Sequence, residues 1–143
     1  MTDYSFQFTH AITRRPARSV VYGLRAKDHG TPNFDQMLKD HAHYVATLRE
    51  TGAEIIELPA LDKFPDAVFV EDNALCLKNC AILMRPGAVS RMGEVAMIAP
   101  AIRAQYDDIS EITTINVNQH HHPPYITEYP RTLVIIIRKQ FSA

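Results

Sequence analysis

The residues of this chain best suited to chemistry lie in the run Phe64-Pro65-Asp66-Ala67-Val68-Phe69-Val70-Glu71-Asp72-Asn73. Three carboxylates surround an apolar core of strong strand formers, Val68, Phe69 and Val70, and Pro65 fits a strand entrance. An unpaired buried charge is costly, so Asp66, Glu71 and Asp72 must find either water or a cation. Two readings are open. The acids stand at the end of a strand and face a cationic ligand in a cleft. Alternatively they are surface groups at a strand tip, or partners of core arginines. The remaining reactive residues offer less. Cys76 and Cys80 flank a short turn, on the two arms of one hairpin. Two soft ligands with no histidine close in sequence make a weak metal site, and two cysteines make no disulfide framework. They read as small apolar packing residues. His120, His121 and His122 are consecutive and cannot share one face, so they read as a solvated loop and no metal is expected.

Positioning these groups requires regular elements, and the chain supplies two similar sets. Phe6 to Ile12 reads as a strand, and Ser19 to Leu24 is a second short apolar run. Ala26 to Pro32 is a loop with Gly30 and Pro32. Asn33 is a good N-cap for a helix whose Phe34, Met37, Leu38, His41, Tyr44, Val45 and Leu48 recur at helical spacing, and Gly52 is placed to end it. A strand over Ala53 to Leu58 closes the first set. The second set has a strand over Val68 to Leu77, a tight turn at Lys78-Asn79 and a return strand over Cys80 to Met84. A helix follows from about Arg91 to Tyr106, which Pro100 should kink or restart. A last strand runs from Ser110 to Ile115.

The two sets also share sequence. His10-Ala11-Ile12-Thr13-Arg14-Arg15-Pro16-Ala17 lies on Cys80-Ala81-Ile82-Leu83-Met84-Arg85-Pro86-Gly87, with Ala-Ile and Arg-Pro in common. The same order of elements follows in each, which points to an internal repeat. Repeated supersecondary units stack or close into rings, and two copies leave open edges. Beyond Asn116 the chain is polar up to Pro124. Thr132 to Arg138 then forms an intensely β-prone run, apolar throughout Leu133 to Ile137. Such a strand needs cover on both faces, so it should insert between strands of this chain or of a partner.

The 143 residues suffice for one domain, and 46% apolar with 22% charged residues suits a soluble globule. A net charge of -1 argues against nucleic acid, which requires a basic field. No apolar run approaches membrane-spanning length and the N-terminus is no signal peptide, so the expected location is the cytoplasm.

Three stretches carry a resemblance: Arg15-Pro16-Ala17-Arg18-Ser19, the acidic run from Phe64 to Asp72, and Arg85-Pro86-Gly87-Ala88-Val89-Ser90-Arg91-Met92-Gly93-Glu94. In order and spacing they resemble dimethylarginine dimethylaminohydrolases, of the guanidine-modifying, pentein or amidinotransferase superfamily. The resemblance covers about Phe6 to Ile115. It implies an α/β fold with two ββαβ modules of an α/β propeller, about residues 5–60 and 64–115, forming a partial ring. Residues 116–143 are then a divergent tail with an added strand at about 132–138. It implies that Asp72 pairs with a guanidinium, that Asp66 and Arg91 hold an amino-acid head group, and that Glu71 supports the cluster. Leu24 and the loop to Gly30 match a lid.

The resemblance also implies what this chain departs from. The family carries a catalytic histidine in mid-chain and a nucleophilic cysteine near its C-terminus. No position here matches either, and Asn116-Val117-Asn118-Gln119 stands where the family continues with a Glu-Gly-Gly-Asp-like segment. No catalytic residue and no cofactor is therefore expected. The leading expectation is a truncated, non-catalytic pentein that forms a homo-oligomer and binds a small cationic guanidino or amino ligand. The alternatives are a hydrolase of methylated arginine or a related guanidine compound, active only as an oligomer or with another chain, and a decayed gene fragment.

Overall fold

A computed structural model of the chain describes residues 8–77 and 79–114 and the strand at 135–137. The order is β1 (His10–Arg14), a 3-10 turn at Arg18–Tyr22, α1 (Phe34–Glu50), β2 (Glu54–Leu58), a 3-10 turn at Val70–Asn73, β3 (Ala74–Cys76), β4 (Cys80–Leu83), a 3-10 turn at Val89–Arg91, α2 (Glu94–Arg103), β5 (Asp108–Glu111) and β6 (Ile135–Ile137). The class is α/β with two small three-stranded sheets, ordered β2-β1-β6 and β3-β4-β5.

Helix α1 starts where its sequence requires. The Asn33 side chain accepts a hydrogen bond from the Gln36 backbone N–H at 3.0 Å, satisfying one of the donors that a helix start leaves open. Just past its end Gly52 sits at φ 85°, in the left-handed region that favours glycine. Pro100 lies inside α2 without breaking it. The second helix is shorter than its periodicity suggests, because Val89–Arg91 forms a separate 3-10 turn before Glu94.

The two sheets follow one plan. In each, the central strand pairs in parallel with the strand after its helix: β1 with β2 and β4 with β5. Each central strand also has an antiparallel neighbour, β6 beside β1 and β3 beside β4. The registers coincide. Ala11 faces Ile55 and Ile136, and Ala81, its counterpart in the sequence repeat, faces Ile109 and Cys76. The β-prone run near the end of the chain thus places Ile135–Ile137 on β1, in the position that β3 occupies beside β4.

The sheets and helices lie in layers. Ile12, Ile56 and Leu58 from one face of the first sheet share a core with Val95, Ile98, Ala99 and Ile102 of α2. Ala74, Ala81 and Leu83 of the second sheet join the same core. The opposite face of the first sheet meets α1, where Val45 and His41 are buried. Burial pushes the His41 imidazole towards its neutral form.

The expected strand over Val68 to Leu77 is a correction. Only Ala74–Cys76 is extended, and the acidic run before it is a chain of turns. Backbone bonds from Ala67 N–H to Phe64 O and from Phe69 N–H to Asp66 O, both at 3.0 Å, curl it. The apolar residues Ala67, Val68 and Val70 are buried even so. The first strand begins at His10 and extends to Arg14, later than the run from Phe6 suggests, and the last strand of the second set is Asp108–Glu111, earlier than expected. The apolar run Ser19 to Leu24 contains the 3-10 turn. Lys78, Ile115 and the polar segment with His120 to His122 lie outside the described residues.

Replacing Asn33 by alanine should cost about 1 kcal/mol of stability through the lost cap, read as a lowered urea midpoint with an unchanged slope.

Candidate ligand-binding site

The curled acidic segment is organised by one side chain, Arg91, which enters from the end of the third 3-10 turn. Its Nε donates to both oxygens of Glu94 at 3.1 Å, and its Nη2 donates to Glu94 Oε2 at 2.8 Å. The same Nη2 reaches the backbone oxygens of Phe69 at 3.2 Å and Asp66 at 3.3 Å. Those carbonyls point inwards, which is why this stretch turns instead of extending. Nη1 is left for Asp72, whose Oδ2 lies 2.5 Å away. Burial alone would lower the pKa of Arg91, but hydrogen bonds to Glu94 and then Asp72 outweigh it and raise it.

Glu94 is 1% exposed and also accepts from Asn73 Nδ2 at 3.2 Å. On its far side stands Arg14, which crosses the shared core to Pro59 O at 2.9 Å and Met97 O at 3.2 Å. Burial lowers the Arg14 pKa, and the charge of Glu94 works in the opposite direction. A line of alternating charge, Arg14, Glu94, Arg91 and Asp72, therefore runs from the core to the surface.

The four acids and bases of the expected site fall into different settings. Asp72 is half-exposed at its carboxylate. Asp66 is buried, and both of its oxygens accept the Leu24 backbone N–H, at 3.0 and 3.2 Å. This bond requires a close approach at the preceding residue: a Cβ on Gly23 would stand 2.6 Å from Asp66 Oδ1. The Leu24 side chain itself is exposed, and Arg25 ties its loop together through Val21 O, Asp28 and Gly30 O. Asp66 thus fastens the segment that carries Leu24 to the segment that carries Glu71 and Asp72.

Glu71 is the group with spare capacity. Its Oε2 is buried and has no hydrogen-bond partner among the described residues. Burial pushes its carboxyl up to about 7; a hydrogen bond from its own backbone and the charge of Arg91 oppose this, and the neighbouring charge of Asp72 adds to it. Tyr44 of α1 senses the Glu71 charge, and its own pKa is raised, mainly by burial. A buried acid with an open acceptor, next to a half-exposed carboxylate, favours a cation with hydrogen-bond donors.

Sequence reasoning assigned no role to Glu94, Asn73 or Gly23. Glu94 was legible in part, since it lies three residues after Arg91 at the start of a helix, where opposite charges pair. Among the described residues no group of three or more histidine, cysteine or acidic side chains is placed to hold a metal. Cys76 is half-buried, and burial pushes its thiol up to about 11 despite a hydrogen bond with Tyr106.

Comparison with known proteins places this geometry in a lineage. No protein-family model matches the chain. A dimethylarginine dimethylaminohydrolase of Pseudomonas aeruginosa is 43% identical over 99 residues, 69% of this chain and 39% of that protein. A solved structure of the Pseudomonas aeruginosa enzyme, a cysteine-to-serine mutant complexed with citrulline, superposes with a TM-score of 0.74 at 41% identity. It matches 76% of this chain and 43% of that one. The N-terminal domain of ArgZ, a cyanobacterial arginine dihydrolase, shares the fold at a TM-score of 0.64 and 17% identity. It matches 75% of this chain and 40% of that one. The chain is an α/β protein similar in sequence and fold to the dimethylarginine dimethylaminohydrolases, and it spans about two fifths of the length of the relatives it matches.

The position of the Glu71 pKa sets a pH dependence. Between about 4.5 and about 7 the folded chain keeps a proton that the unfolded chain releases, so the charged form costs folding stability as pH rises through this window. Glu71→Gln should flatten that fall and make the variant more stable than the parent above pH 7, as read by urea denaturation at pH 5 and pH 8.

Proposed function

We propose that this chain is a non-catalytic pentein of the cytoplasm. It holds a small guanidino- or amino-bearing cation at its acidic segment and associates with itself. In this reading the chain forms two modules of a partial ring: residues 64–115 are one ββαβ module, and β1, α1 and β2 are completed as the other by β6, from a divergent tail beyond residue 115. The observation that carries the binding role is the open, buried acceptor on Glu71 beside the half-exposed Asp72. Asp72 and Glu71 receive the cation. Arg91 stays locked by Glu94 and holds Asp72 in place through Nη1. Asp66 holds the Leu24 segment at the edge of the site.

Absence of catalysis rests on thiol chemistry. Hydrolysis at a guanidinium carbon requires a strong nucleophile and an acid for the leaving amine. A thiol with a pKa of about 11 is a thiolate at neutral pH only to about one part in ten thousand. Cys80 lies in β4, part-buried, and the described structure gives it no histidine partner.

A second reading is that the chain acts on methylated arginine or a related guanidine compound, as an oligomer or with another chain. The 43% identity to a dimethylarginine dimethylaminohydrolase favours it.

Calorimetric titration with arginine, methylated arginine and agmatine separates these readings. The non-catalytic reading predicts saturable binding, loss of at least about tenfold in affinity in Asp72→Asn, and no citrulline. A cation beside Glu71 favours its charged form, so binding near pH 6.5 should release a proton and the heat should vary with the buffer. Citrulline formation by the purified chain would support the hydrolase. Absence of any heat would remove the binding role.

A further inference from the structure

The repeat makes an unequal pair of sheet faces visible. In the first sheet the face bearing Ile12, Ile56 and Leu58 is covered by α2. The register assigns each of these a counterpart in the second sheet: Ile82 for Ile12, Ser110 for Ile56 and Ile112 for Leu58. Leu75, opposite Ile82, completes that row on β3. This second face is built like the first but nothing among the described residues covers it. Leu75 is 47% exposed, Leu77 44% and Ile112 42%.

One change between the two faces bears on the partner. The buried Arg14 of the first sheet corresponds to Met84 in the second, so the open face has no arginine to be matched by an acid such as Glu94. Its cover must be plainly apolar. Neither described helix can supply that from another copy. The apolar side of α2 is already spent in the shared core, and α1 turns Gln36, Lys39, Asp40, His43, Thr47 and Glu50 outwards. Among the described residues, the open face itself fits. Two copies of it meet without opposing buried charges, with Asp108 on the edge strand left at the rim.

We infer that a second copy of this chain packs on the face of Leu75, Leu77, Ile82 and Ile112, sheet against sheet about a two-fold axis. Such a contact is isologous and closes at a dimer, with the sheets about 10 Å apart. It rests on the self-association proposed above and names the surface that performs it.

Sedimentation of the full chain across micromolar concentrations tests it, with hydrogen exchange measured at both ends of the range. A dimer is expected for the parent and for Val89→Lys, a control at an exposed residue of the third 3-10 turn, away from this face. Leu75→Lys and Ile112→Lys should each weaken the dimer at least about tenfold. Their circular dichroism should match the parent, since both residues are solvent-facing. Exchange protection of residues 74–77 and 80–84 should rise with concentration. A parent assembly that both variants leave intact would overturn this surface while sparing self-association. A monomer at every concentration would remove self-association itself. Protection independent of concentration would overturn the dimer at this face.

Discussion

The fold of the acidic segment depends on the buried pairing of Arg91 with Glu94. Three contacts from two nitrogens fix the guanidinium, and its position then decides everything within its reach. The Asp66 and Phe69 carbonyls turn towards it, Asp72 closes on its remaining nitrogen, and Asn73 adds a further donor to Glu94 Oε2. Removing one member of such a pair leaves a charge without compensation in a dry place, at about 3–5 kcal/mol. The surface pairs of the chain are of another order. Arg15 and Arg49 approach Glu57 at 3.9 and 3.7 Å with exposed side chains, and such contacts contribute about 1 kcal/mol at most.

The pair also links the two halves of the described fold. Glu94 opens α2, which fills the core between the sheets, and Arg14 reaches that helix from the end of β1. The same helix therefore supports apolar packing on both sides and anchors the charged line that ends at Asp72. The open acceptor is a by-product of this arrangement. Arg91 and Asp66 are occupied by their structural partners, so the open acceptor falls to Glu71, the acid whose charge the surroundings disfavour most.

Much of the scaffold was legible in the sequence because its signals are local. Asn33 and Gly52 bound α1 by cap chemistry, and the Ala-Ile and Arg-Pro repeat announced two sheets of one topology. The β-prone run near the end of the chain announced a strand, and β6 pairs with β1 at the edge of the first sheet instead of between two strands. The acidic segment was misread for a physical reason. Val68, Phe69 and Val70 favour a strand, but the group that bends their backbone is more than twenty residues away, at Arg91. No local propensity encodes that contact. Burial of Asp66 against Leu24 is similar, because only the close approach at Gly23 makes it feasible. Arg91, Asp72 and the Asp66 carbonyl, grouped by the motif match, do meet in the fold, while the partners Glu94 and the Leu24 N–H were not legible as such in it.

A double-mutant cycle on Arg91→Met and Glu94→Gln, read by urea denaturation at pH 7, measures the linkage on which the site depends. The expected coupling between the two positions is about 2 kcal/mol or more, with the double variant less damaged than the sum of the singles. Additivity within about 0.5 kcal/mol would contradict it and leave the shape of the acidic segment to some other cause.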